Sequence, residues 1–380
     1  MKRLNRIFLA VLGVACSVGV VMGLVRLGTA AQGPVTATLQ RVGTVVSGTE
    51  SRLTRRVRGP GRAQALDWLG ALRTNADSLR NPTVLLTGAY DDRLPGSLDG
   101  VTALEEALAA PFPLIQAYTA WGDAPEHAFP LRLAEAVSEL GSIPVITWEP
   151  WLSTFENSLH PDLPLREVRE RGGLATVARG DYDFYLDAWA AQAAAFGKPV
   201  LVRLAHEMND PYRYSWGPQN NQPQDFIAAW RHVVDRFRAA GAHNVLWVWS
   251  PHVAYEGYEV YWPGEDYVDW VATGALNYGT VAYWSQWWSF EEIFGRHHDF
   301  LAGFGKPVMV AEFGTLAVGG DRAAWYASAL EGFRARYPAV KGLLFFHVSG
   351  DRTVTRQAVD WAFEGDTAVV GVVRRALEAK

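Results

Sequence analysis

The sequence predicts an α/β chain folded as a (β/α)8 barrel, and three observations carry that expectation. Eight short apolar, β-rich runs recur between residues 83 and 348, each followed by a polar turn and a helical stretch. Gly141, Gly197, Gly241 and Gly305 stand where helices give way to strands, and Pro144, Pro199 and Pro307 stand at the openings of runs, where a missing N–H is tolerated. Polar and aromatic residues gather at the C-terminal ends of the runs, while the bodies of the runs are apolar. A doubly wound open sheet would place a glycine-rich phosphate turn after its first strand, and "TGAYDDRLPG" is not one.

Composition agrees with a large buried core. Of 380 residues 49% are hydrophobic and 20% charged, which excludes wholesale disorder. The net charge of −5 leaves no global basic excess for gripping nucleic acid, and none is expected as a partner. One cysteine, Cys16, excludes an intramolecular disulfide and a cysteine-rich zinc site. Tryptophan is abundant, 16 residues beside 14 Tyr and 17 Phe, which directs attention to surfaces that stack on sugars or bases.

In chain order, residues 1–31 read as a signal peptide or signal anchor. Lys2, Arg3 and Arg6 precede the uncharged run Ile7–Val25, close to the roughly 20 residues that span a bilayer, and "LGTAAQ" offers small residues for cleavage after Ala31. Either outcome places the remainder outside the cytoplasm, secreted or attached to the membrane through residues 7–25. Residues 32–80 read as a stem, with Arg52, Arg55, Arg56, Arg58 and Arg62 as a solvated basic run and an amphipathic helix over 63–72. The barrel domain is expected over 81–380.

Within it the runs are "TVLLTGAY" (83–90), "PLIQAYTAW" (113–121), "IPVITWEPW" (143–151), "PVLVRLAHE" (199–207), "NVLWVWSP" (244–251), "VDWVATGALNYG" (268–279), "PVMVAEFG" (307–314) and "KGLLFFHV" (341–348). Helical patterns lie between them, among them "YDFYLDAWAAQAAAF" and "PQDFIAAWRHVVDRFRAA", whose Trp189 and Trp230, like Trp325 further on, read as packing. Alternation along the fourth run puts Arg203, Ala205 and Glu207 on one face, opposite the apolar Val200, Val202 and Leu204. In the seventh, Val308, Val310 and Glu312 share a face.

In a barrel, chemistry sits at the C-terminal ends of the strands. Those ends present Trp148-Glu149, His206-Glu207, Trp249, Asn277-Tyr278 and Glu312. A single Glu there commonly caps a helix or pairs with an arginine. Two Glu at the ends of strands four and seven, amid tryptophans, match the acid and the nucleophile or base that glycoside hydrolysis requires. Glu149 is the reserve carboxylate, read as a substrate hydrogen-bond acceptor, and Trp216 and Trp284 are expected to line a sugar cleft. A zinc hydrolase would need a second His four residues after His206, where Asp210 stands. A non-catalytic sugar-binding barrel would keep the tryptophan rim and lose a catalytic Glu.

The strings "VRLAHEMNDPYRYSWG", "AWRHVVDRFRAAGAHNVLWVWSPH" and "VMVAEFGT", in that order, resemble glycoside hydrolase family 26, from about residue 83 to the C-terminus. The resemblance implies a retaining barrel enzyme of the superfamily with acid/base on strand four and nucleophile on strand seven. It makes Glu207 the acid/base and Glu312 the nucleophile. Arg203 and His206 become supporting residues, Tyr278 the tyrosine that hydrogen-bonds the nucleophile, and Trp216 an aromatic near the cleaved bond. Trp148, Asn209 and Trp249 join Glu149, Trp216 and Trp284 as substrate-binding candidates. The sequence departs from the family in Asp210, where mannanases commonly carry Gly, and in "FFHVSG", where many members place a tryptophan platform. The implied substrate is a β-1,4-linked polysaccharide cut endo-fashion, β-mannan first, with mixed-linkage β-glucan or an exported exopolysaccharide as alternatives. No metal or cofactor is expected, because carboxylate chemistry needs no Lewis acid.

Overall fold

The computed structural model describes residues 61–378. Eight parallel strands close into one barrel in sequential order: β1 (Leu86–Asp91), β2 (Leu114–Ala120), β3 (Ile143–Glu149), β4 (Val200–Leu204), β5 (Val245–Trp249), β6 (Trp270–Asn277), β7 (Val308–Thr315) and β8 (Val340–His347). Each coincides with one of the eight apolar runs. Seven longer helices follow strands: α1 (Asp99–Leu108), α2 (Leu131–Glu139), α3 (Asp183–Phe196), α4 (Pro223–Ala239), α5 (Arg296–Ala302), α6 (Arg322–Leu330) and α7 (Thr367–Glu378). The β5–β6 connection carries only two short 3-10 turns, Tyr258–Tyr261 and Glu265–Tyr267.

Local chemistry explains the boundaries. Pro223 opens α4 at a position whose N–H would be unpaired anyway, and Gln222 and Asp225 cap each other's backbone. Asp321 accepts the Ala324 N–H (2.9 Å) to start α6. The stretch "RAAWYASALEGFRARY" breaks at Gly332, so α6 ends at Leu330 and a separate turn spans Phe333–Arg336.

Burial divides the strand residues into two sets. Leu114, Val145, Leu201, Leu246, Val248, Trp270, Ala272, Met309 and Ala311 pack together inside the barrel. Ile115, Ile146, Trp148, Val202, Leu204, Trp247, Trp249, Val308 and Val310 belong to the layer between strands and helices. Leu66, Leu69 and Leu79 join the inner set, and Trp270 Nε1 donates to the Leu79 carbonyl (3.0 Å). Each such leucine contributes about 1.5–3 kcal/mol of apolar burial. The described part of the expected stem is therefore packed on the barrel's inner core. The helix expected over 63–72 is split: residues 61–65 are α-helical, and a 3-10 helix, Asp67–Arg73, kinked at Gly70, follows. Arg62, expected in a solvated run, is tied down instead. Its Nε donates to Glu105 Oε2 (2.8 Å), and Nη2 pairs with Oε1 of the same carboxylate.

The signal or anchor segment, residues 7–25 included, lies outside the described residues. Among the described residues no helix is long and apolar enough to cross a membrane.

Candidate active site

Arg203 and Tyr118 converge on one oxygen of Glu312. Arg203 Nη1 donates to Glu312 Oε1 at 2.6 Å, and Tyr118 Oη donates to the same oxygen at 2.7 Å. Arg203 is fully buried, and its Nε donates to Ser250 Oγ (2.9 Å), which fixes the guanidinium plane. Burial alone would raise the Glu312 carboxyl. The Arg203 charge and the two hydrogen bonds outweigh it and hold the group below its ordinary value, so it is ionised near neutrality. Arg203 stays charged despite its burial because Glu312 faces it.

Glu207 is held by a different set. Its Oε2 accepts from Tyr214 Oη (3.2 Å) and from Arg213 Nη1 (3.3 Å), and His252 Nε2 lies 4.0 Å from Oε1. His206 Nε2 is 3.0 Å from Tyr214 Oη. With the tyrosine proton directed at Glu207, that nitrogen must be the one carrying hydrogen. Burial, then the charges of Arg203 and Arg213, push the His206 imidazole well below its usual value, so it is neutral.

The two carboxylates reach the mouth by departures from strand regularity. The alternation read from the sequence also brings both to the mouth, by a route the structure does not use. β4 stops at Leu204, and both Ala205 (φ 44°) and Glu207 (φ 52°) take left-handed backbone, which costs non-glycine residues about 1–2 kcal/mol each. The Glu207 N–H is secured on the Ser250 carbonyl at 2.6 Å. In β7, Val308 and Val310 face the helices, while Met309 and Ala311 face the interior. Strict alternation would therefore turn Glu312 outward. A bulge intervenes: Thr273 pairs with Val310 and the next residue, Gly274, with Glu312. The skipped Ala311 presents its carbonyl to Gln116 Nε2 (3.3 Å), and Glu312 swings into the mouth.

Consequently the free oxygens of the pair face each other. A side-chain carbon built on Gly274 would stand 3.6 Å from Glu207 Oε1 and 3.6 Å from Glu312 Oε2. The two oxygens are therefore separated by no more than twice that distance. This admits the roughly 5–5.5 Å carboxyl spacing of retaining chemistry.

Several expected site residues lie elsewhere. Trp148 and Glu149 are neighbours on β3, so only one can face the mouth. Glu149 does, while Trp148 is fully buried and stacks on Trp189 of α3 (4.3 Å). Burial raises the Glu149 carboxyl against the opposing hydrogen bond from Trp151 Nε1 (3.1 Å). Trp249 also points away, into Trp262 and Phe304. Trp216 is 1% exposed, stacked under Tyr214 (4.5 Å) with Nε1 donating to the His206 carbonyl, so it braces Tyr214 and does not line a cleft. Asn209 is consumed in bridging to the β5 loop, donating to the His252 and Tyr255 carbonyls and accepting the His252 N–H. Tyr278 does not supply the nucleophile's hydrogen bond. Tyr118 does, while the Tyr278 ring packs against Trp284 and Trp361. Trp284 remains 42% exposed on the β6 loop, free to meet a ligand.

Sequence reasoning missed Tyr118, Arg213, Tyr214 and His252. Tyr118 carried a signal, since it alternates with Gln116 on β2 and must share its inward face. Glu207, Asp210 and His252 each offer an atom within 4.8 Å of the others, a spacing that invites a cation. However, His252 Nδ1 accepts the Ala254 N–H (3.2 Å), which puts the neutral ring's proton on Nε2, the nitrogen facing Glu207, and removes its lone pair. At the end of β8, His347 is buried with Nδ1 3.0 Å from Asp91 Oδ2, so it offers no platform.

Comparison with known proteins bears on the family and the fold. The family model for glycosyl hydrolase family 26 matches residues 182–299, from α3 into α5, a span that includes Glu207. Endoglucanase H of Acetivibrio thermocellus is 29% identical over 303 residues, 78% of this chain and 30% of that protein. A β-1,3-xylanase of Vibrio sp. is 32% identical over 38% of the chain and 30% of its own length. The mannan endo-1,4-β-mannosidase A and B of Caldalkalibacillus mannanilyticus is 34% identical over 21% of the chain and 17% of its own length. The chain thus spans less than a third of the length of these curated relatives. Among solved structures, a β-mannanase of the same family from Bacteroides ovatus superposes with a TM-score of 0.56 at 17% identity, over 84% of this chain and 93% of that one. A mannanase from Bacillus subtilis does so with 0.53 at 18%, over 82% and 90%; these likenesses bear on the fold. Family match, relatives and barrel together support glycosyl hydrolase family 26 as the family this chain resembles.

Proposed function

We propose that the chain hydrolyses the backbone of a β-linked polysaccharide with retention of anomeric configuration, Glu312 serving as nucleophile and Glu207 as acid/base. The observation that carries this reading is the facing pair of free oxygens. Each carboxylate has one oxygen occupied by hydrogen bonds and one, Glu312 Oε2 or Glu207 Oε1, directed at the same open point over Gly274. Glu312 Oε2 attacks the anomeric carbon while Glu207 passes a proton from Oε1 to the departing glycosidic oxygen. The bond to that oxygen breaks and a glycosyl ester forms on Glu312. The ester removes the negative charge opposite Glu207, so the same carboxylate then takes a proton from water, whose oxygen attacks the anomeric carbon and frees Glu312.

β-1,4-Mannan is the proposed substrate. Mixed-linkage β-glucan is the second reading, favoured because the relative aligned over 78% of the chain is an endoglucanase. Incubating the protein with mannan, glucomannan, mixed-linkage β-glucan and xylan, and following the first-formed anomer by NMR, tests both points. A β-anomer from one of these is expected. An α-anomer, or activity confined to an α-linked glycan, would contradict the mechanism.

Export is proposed on the charge and hydropathy of residues 1–31 alone. A reporter enzyme fused after residue 40 should become active outside the cytoplasm, and its N-terminal sequence distinguishes a cleaved signal from an anchor. A reporter retained inside would count against it.

A further inference from the structure

We propose that Gly274 is a specificity-determining residue: its bare backbone on β6 is the seat of the sugar ring whose anomeric carbon is attacked. This rests on the double-displacement reading above. Inner-facing Trp270 and Ala272 precede Gly274 on β6, and the same alternation brings residue 274 to the half-buried floor of the mouth. Two other glycines answer to the fold. At Gly88 a Cβ would lie 2.6 Å from the Leu114 carbonyl oxygen. At Gly279 it would run into the Val318 carbonyl oxygen, and the backbone there is left-handed, φ 56°.

Neither constraint applies to Gly274. Its φ lies outside the left-handed region, and a Cβ would meet its nearest neighbours, Glu207 Oε1, Glu312 Oε2 and Glu312 Cβ, at 3.6, 3.6 and 3.8 Å, ordinary contact distances. Alanine would fit the protein, and glycine within a strand is the less stable choice. The missing methyl would occupy the one volume that both free oxygens face, and the group that must enter that volume is the anomeric centre of the ring. The fold does not require the vacancy; a pyranose held between a nucleophile and an acid does. A methyl there would lift the ring off β6 and away from Glu312 Oε2.

The test uses Gly274→Ala and the bulkier Gly274→Ser in the full chain. Each is compared with wild type for kcat/KM on the polysaccharide it hydrolyses. Each is also compared for the rate at which an activated 2-deoxy-2-fluoro β-glycoside of the same sugar esterifies Glu312, read by mass spectrometry, and for thermal midpoint. The expected result is wild-type melting with labelling and kcat/KM both reduced about 100-fold in the alanine variant, as displacement of a reacting atom by about 1 Å produces, and more in the serine variant. Unchanged labelling and turnover in both variants would overturn the proposal. A large fall in melting temperature would overturn it too, because the glycine would then serve packing. If wild type itself takes no label and hydrolyses none of the glycans, the reading beneath the proposal falls, and the proposal with it.

Discussion

Glu312 and Glu207 face one another across the barrel mouth, yet the protein holds them by different means. Glu312 sits within a strand, its orientation set by one bulge, and its fixed oxygen is gripped by a fully buried arginine and a half-buried tyrosine. Glu207 sits on a strained turn after its strand, and its fixed oxygen meets a partly exposed arginine and Tyr214, at distances above 3 Å. The difference matches the proposed tasks. A nucleophile must stay ionised and keep one orientation, which close cationic and phenolic donors enforce. An acid/base must gain and lose a proton in each cycle, and Glu207 has the longer hydrogen bonds and the partly exposed arginine partner.

The largest expected effect comes from removing the rigid side. Glu312→Ala should lower turnover roughly 10⁴-fold or more on every substrate, activated or not, because no ester can form. Glu207→Ala should be more selective. Loss of acid assistance should cost about 10²–10⁴-fold on the polysaccharide, and far less on aryl glycosides whose leaving groups need no proton. Equal losses on both substrate types would erase the distinction between the two carboxylates.

Next in size is Tyr118→Phe, which deletes one charge-assisted hydrogen bond to Glu312, about 1.5–3 kcal/mol, or ten- to a hundredfold in kcat/KM. Its pH signature is more telling. Glu312 is held below its ordinary value, so its share of stability is fully present above the unfolded carboxylate value near 4.3 and is lost as pH falls through the lowered folded value. Removing a donor raises that folded value. The acid limb of kcat/KM should therefore move to higher pH in Tyr118→Phe, and a limb that stays in place would count against Glu312 as the group titrating there.

The smallest effect should come from Arg213→Ala on the softer side. A partly exposed pair at 3.3 Å contributes about 1 kcal/mol or less, so kcat/KM should change by about fivefold or less. The change should shrink further at high ionic strength. A loss approaching that of Tyr118→Phe would show the two sides to be held alike.

Much of this was legible in advance. The eight runs mark the eight strands because a strand covered on both faces must be apolar along its body, and the two Glu stand out as a pair at the ends of the fourth and seventh runs. The aromatic assignments were less legible. Trp148, Trp216 and Trp249 lie at strand ends or close beyond them, as cleft residues would, yet Trp148 and Trp249 face the helices and Trp216 lies under Tyr214. A tryptophan that stacks on sugar and one that stacks on Trp189 look alike in sequence, and only the face on which it emerges separates them.

By itself the sequence determined the order of strands and helices, the end of the barrel at which polar groups collect, and that Glu207 and Glu312 lie at that end. These follow from hydrophobic period and residue type, which are local properties. Tertiary structure alone decided how the carboxylates point, which oxygen of each is left free, and that Tyr118, far away in the chain, supplies the bond expected of Tyr278. A bulge is a disagreement of register between two paired strands, and the Glu207 turn is held open by a hydrogen bond to Ser250 on the next strand's edge. Neither exists until the barrel closes, because each is a relation between segments and not a property of one.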